Sequence, residues 1–107
     1  MSKIAIVGKK DVYLGFKALG LTVCDARTPQ AAERAILDLQ EQGFSIIFVS
    51  ETLARELGPL LDRFSRQSTP AVVMIPDNTG SLGVARERTR RLVERAVGID
   101  VLSRGER

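Results

Sequence analysis

Four short runs of β-branched and apolar residues, each followed by a stretch of helical periodicity, predict an α/β domain built on a parallel sheet. Parallel neighbours need a crossover connection, and crossovers are right-handed, so this succession places helices on both faces of four strands. A length of 107 residues suits one hydrophobic core and is too short for two.

The first strand is predicted over residues 3–7, stopped by Gly8. Asp11 is placed to cap a short helix carrying Val12, Leu14, Phe16 and Leu19, which Gly20 ends. Residues 22–25 form a second strand at an edge. Thr28 and Pro29 start a helix with a capping hydroxyl and a pre-set φ, and Ala32, Ala35, Ile36 and Leu39 repeat at helical spacing up to Gly43. In residues 45–49, four consecutive apolar residues follow Ser45, the pattern of a strand covered on both faces. Ser50 is placed to cap the next helix, with Leu53, Leu57, Leu60, Leu61 and Phe64 on one stripe, and Gly58-Pro59 should split it in two. Residues 70–75 give the fourth strand and 77–83 a mobile loop. A last helix is expected from Val84 to Val97, with Gly98 as its stop and an apolar tail, Ile99 to Leu102, beyond it. The expected product is a small doubly wound four-stranded parallel sheet of order 2-1-3-4, receiver-like or flavodoxin-like, with an arginine-rich C-terminal helix. Residues 1–83 form its α/β core, and 84–107 a helix and tail in the same single domain.

Composition excludes several chemistries. There is no histidine, so neither a Ser-His-Asp nor a Cys-His pair can form. The one cysteine, Cys24, cannot make an internal disulfide or a CxxC pair. It reads as a small structural hydrophobe, which fits a reducing cytoplasm. The four apolar residues before Gly8-Lys9-Lys10 are too few for a signal peptide or a spanning helix.

Ligands of doubly wound folds bind where strands 1 and 3 end side by side. The loop there, Gly8-Lys9-Lys10-Asp11, matches neither a P-loop nor a dinucleotide fingerprint. A phosphate-accepting receiver would need acids at that point to hold Mg²⁺; this chain offers two lysines and Asp11, then Val49, Ser50 and Glu51. Tyr13 reads as a core or interface residue, and Glu51 as a first-turn acid favoured by the helix dipole. No catalytic residue, metal ligand or cofactor-binding residue is predicted.

The charge is uneven. Net charge is +3, from 16 basic and 13 acidic side chains; residues 1–83 are balanced, whereas 84–107 hold seven arginines, no lysine and four acids. Arg88, Arg91 and Arg95 share a helical face, Ala85, Thr89, Leu92, Val93 and Ala96 form an apolar stripe, and Glu87–Arg91 and Arg90–Glu94 are spaced for intrahelical pairs. Forked guanidinium groups suit carboxylates or phosphates. A nucleic-acid-binding module using this basic helix, or a receiver-like signalling module, are the alternatives the residues themselves leave open.

Five stretches run through nearly the whole chain in order: KIAIVG, GFKALGL, GFSIIFVSETLA, PAVVMIP and RRLVERAVGIDV. Together they resemble the F subunit of V-type and archaeal-type rotary ATPases; the basic Gly8-Lys9-Lys10 loop departs from that family's usual acidic one. The resemblance implies a non-catalytic central-stalk component, cytoplasmic and peripheral to the membrane. It would bind the coiled-coil axle (the D subunit), and through it the catalytic head and membrane-ring adaptor, and turn with it as ATP synthesis or hydrolysis is coupled to proton or sodium transport. On that reading Arg88, Arg91 and Arg95 supply polar contacts, and Leu92, Ile99 and Val101 the packing.

Overall fold

The computed structural model describes residues 3–76 and 82–105, with side chains described for 3–76 and 87–98. Of the expected loop over 77–83, residues 77–81 lie outside the described residues, and Leu82 and Gly83 are already helical.

Strands β1 (Ile4–Gly8), β2 (Thr22–Asp25), β3 (Ile46–Ser50) and β4 (Ala71–Ile75) form one sheet of order β2-β1-β3-β4, every pair parallel. Ile6 sits opposite Val23 on one side and Phe48 on the other. The two central strands are the apolar runs, and β1 is buried at all five positions. Alternation then divides the interior. Ala5, Val7, Ile47 and Val49 point into a larger core with Ile36, Leu39, Leu53, Leu57 and Phe64. Ile4, Ile6, Phe48 and Ile75 point into a smaller one with Tyr13, Leu21 and Val93.

Helices α2 (Pro29–Glu41), α3 (Glu51–Ala54) and α4 (Gly58–Ser65) cover the larger core. The Thr28 hydroxyl accepts from Ala31 N–H at 3.1 Å, as its position predicts. The chain breaks between α3 and α4 just before Pro59. Ser50 occupies the N-cap position of α3, but its hydroxyl makes no capping bond.

The smaller core is covered by α1 (Lys10–Tyr13), a 3-10 helix (Leu14–Leu19) and α5 (Leu82–Gly105). Two expectations change here. The short helix expected to carry Val12, Leu14, Phe16 and Leu19 is α-helical only over Lys10–Tyr13 and then tightens to 3-10 winding. Tyr13 and Phe16 turn to the core, their ring centroids 6.3 Å apart, and Val12, Leu14 and Leu19 turn to solvent. The chain leaves through Gly20 at φ 90°, a left-handed value that glycine adopts without a Cβ clash.

Gly98 is the second correction. It does not stop α5, which runs on to Gly105. A glycine inside a helix costs only about 1 kcal/mol relative to alanine, and the residues that follow, Ile99 to Arg104, contain no proline or second breaker. The expected tail is therefore helix. Asp11 also has a different job: Lys9 is at the N-cap of α1, and Asp11 accepts from Arg27 Nη2 at 2.9 Å.

Phe48, fully enclosed in the middle of the sheet, should be costly to truncate. Phe48→Ala is expected to lower unfolding free energy by about 3–5 kcal/mol, and Thr28→Ala by about 1 kcal/mol, read from urea midpoints by circular dichroism.

Candidate interaction face and the closed crevice

The crevice at the ends of β1 and β3 is filled from within. A Cβ built on Gly8 would lie 2.5 Å from Cε2 of Tyr13 and 3.5 Å from Cβ of Ser50. The Tyr13 ring thus rests on the bare Gly8 backbone, where ligands of such folds usually sit, and is itself buried. The acids nearby are committed. Asp25 accepts from Lys10 N–H at 2.9 Å and lies 3.7 Å from Arg27 Nε, so the loop after β1 is tied to the end of β2. Glu51 accepts from Arg55 at 2.6 Å. Among the described residues no group of three or more His, Cys, Asp or Glu could hold a metal ion.

Cys24, half-buried on edge strand β2, has its thiol pKa pushed up, first by burial and then by the charge of Asp38. It is less of a thiolate at neutral pH than an exposed cysteine.

On α5 the structure separates two faces. Val93 is fully buried and Thr89 nearly so, with Ala96 and Val97 packed against the smaller core; Thr89 Oγ1 reaches the carbonyl of Pro76 at 3.5 Å. Leu92, expected on that stripe, is exposed. Arg88, Arg91 and Arg95 are all exposed. Glu87 pairs with Arg90 at 2.7 Å and with Arg91 at 3.4 Å. Its pKa is lowered, mainly by the hydrogen bond from Arg90, and the hydrogen bond and charge of Glu87 in turn raise that of Arg90. The Glu87–Arg91 pair was legible from spacing; the tighter one to Arg90, three residues on, was not. Arg88 and Arg95 have no carboxylate within ion-pair distance among the described residues. The side chains of Ile99 and Val101, like that of Ala85, lie outside the described residues. Because α5 is continuous, position 99 shares the helical phase of Leu92, whereas position 101 falls about half a turn away, on the phase of Val97.

Residues 4–93 match the family described as ATP synthase (F/14-kDa) subunit. The F subunit of the V-type ATP synthase of Clostridium perfringens is 40% identical over 100 residues, covering 94% of this chain and 95% of the relative. The corresponding V-type protein of Fusobacterium nucleatum is 36% identical, covering 95% and 97%. The F subunit of an A-type ATP synthase from Methanothermobacter thermautotrophicus is 34% identical, covering 94% and 97%. The chain belongs to the ATP synthase F-subunit family. The family match takes in the whole sheet, the Gly8–Tyr13 closure and α5 up to its buried anchor, Val93. No helix among the described residues is long and apolar enough to cross a membrane.

Two outcomes follow from this geometry. Gly8→Ala must displace the Tyr13 ring from an enclosed position and is expected to cost about 1–3 kcal/mol, measured by denaturant unfolding. Cys24 should react with iodoacetamide more slowly than a free cysteine at pH 7.5. Its rate should keep climbing at pH values where that of an exposed cysteine has levelled off, because the raised pKa keeps the thiol protonated over the range where an ordinary one ionises.

Proposed function

We propose that this chain is a non-catalytic central-stalk component of a V/A-type, proton- or sodium-translocating ATP synthase. It grips the coiled-coil axle (the D subunit) through the outer face of α5 and rotates with it on the cytoplasmic side of the membrane. Through the axle it meets the catalytic head and the membrane-ring adaptor. The observation that carries this reading is the long helix attached by one face only. At about 1.5 Å per residue, 24 residues make a rod of about 36 Å, and its described sheet contacts come from Thr89, Val93, Ala96 and Val97. Beside that contact stripe Leu92 is exposed, position 99 lies on the same helical phase, and Arg88 and Arg95 follow on the solvent side of both. Apolar positions recurring every seven residues beside charged ones are the form of surface that packs along another helix. Arg88 and Arg95, without a carboxylate in ion-pair distance among the described residues, favour an acidic partner through charge-assisted bonds.

The closed crevice supports the same reading. Tyr13 occupies the position from which a doubly wound fold would work on a ligand, so the function is carried by surfaces. The single domain proposed for 1–83 with 84–107 is what such a rotor part needs, since a helix anchored by Val93 to the sheet transmits torque to it.

Co-expression with the axle protein should give a one-to-one complex on size-exclusion chromatography. Replacing Arg88, Arg91 and Arg95 together by alanine should weaken that complex at least about tenfold, with the far-ultraviolet dichroism of the free chain unchanged. Affinity equal to that of the unaltered chain would remove these arginines from the interface, and steep salt-dependent binding to duplex DNA without axle binding would replace the reading with a nucleic-acid one.

A further inference from the structure

Among the described residues five large apolar side chains are exposed: Val12 at 38%, Leu14 at 48%, Leu19 at 38%, Leu92 at 37% and Met74 at 57%. Met74 is on edge strand β4. The other four all belong to the layer made by α1, the 3-10 helix and α5; α2, α3 and α4 contribute none of the five. Single exposed apolar residues are ordinary on any surface, but three of these fall in one short segment before Gly20, where Tyr13 and Phe16 pack on the smaller core while Val12, Leu14 and Leu19 are exposed. Gly15, between them, has open space beside its backbone, so a helix could approach closely there.

The charge of the layer points the same way. Asp11 is held by Arg27, and Glu87 by Arg90 and Arg91. Lys9, Lys10, Lys17, Arg88 and Arg95 have no carboxylate within ion-pair distance among the described residues. Tyr13 and Val93, the chain neighbours of Leu14 and Leu92, meet in one buried cluster, so the two apolar exposures emerge from one layer.

We infer that this layer is a composite docking surface, in which Val12, Leu14 and Leu19 extend the α5 face and contact the same partner, a helix with an apolar ridge flanked by carboxylates. The inference rests on the reading that α5 grips the axle protein, and it adds a segment that the arginine pattern alone does not reach. The first helical segment then acts as a second grip, so the partner is held at two points of the layer.

The test is a titration of the purified axle protein with the full chain and three variants, Leu14→Ala, Leu14→Glu and Met74→Glu. Leu14→Ala should weaken binding about tenfold and Leu14→Glu further, as expected for apolar groups near the centre of an interface; Met74→Glu should bind like the unaltered chain. Amide exchange over residues 10–19 should slow in the complex, a readout that does not depend on how the variants fold. If the unaltered chain binds and the triple arginine variant binds weakly, while both Leu14 variants bind normally and amides 10–19 are unprotected, the composite surface is wrong and the α5 grip stands. Equal weakening by Met74→Glu would move the contact to the β4 edge and also overturn the inference. No binding by the unaltered chain would overturn the axle reading itself, and this one with it.

Discussion

The pairing of β1 with β3 is the constraint on which the rest depends. Ile4 to Val7 lie beside Ile46 to Val49 in register, and alternate residues on each strand point to opposite faces. Because all of these side chains are apolar, both faces must be covered. The two covers differ. Three helices with Ile36, Leu39, Leu57 and Phe64 close one face; the other receives a four-residue helix, a 3-10 turn and a few side chains of a long helix.

That inequality also shows in the outer faces of the two layers. In the larger core the helices are committed to the sheet, and their outer faces carry pairs such as Arg55–Glu51 and Arg66–Asp62 that satisfy charge within the chain. Exposed pairs of that kind contribute little stability. In the thinner layer the balance is different. Full burial of a valine contributes about 1.5–3 kcal/mol, so Val93 fixes the orientation of α5 without using up the helix, and most of its circumference remains available to another chain.

The sequence made the sheet legible almost to the residue because β1, β3 and β4 are apolar runs stopped at or just after Gly8, Ser50 and Pro76, and β2 is a short β-branched run between Gly20 and Asp25. The amphipathic helix after Thr28-Pro29 was legible for a related reason, since cap and periodicity agree. The first helical segment was not. Val12, Leu14, Phe16 and Leu19 mark a helical stretch without fixing its winding, which tightens to 3-10 after Tyr13; Tyr13 reads as a core or interface residue, but its seat depends on Gly8, whose missing Cβ makes room for the ring. Gly98 misled for the opposite reason, because a common stop signal has a cost small enough for a long helix to absorb. On α5, the arginine face was visible at i, i+3 and i+7, but which arginines are engaged by Glu87 is a matter of rotamers, and spacing alone groups Leu92 with Thr89 and Val93 although only the latter two are buried.

The continuity of α5 through Gly98 changes the mechanical meaning of the C-terminal segment. A helix that stopped at residue 97 would end one turn past its anchor, and the residues after it would need a cover of their own. As a single rod the same residues prolong a surface already begun, with position 99 in line with Leu92. The rod cannot rotate about its axis without withdrawing Val93 and Thr89 from the sheet, so the orientation of the outward face is fixed by two buried side chains. The sheet sets the phase of the helix, and the phase decides which side chains another protein can meet.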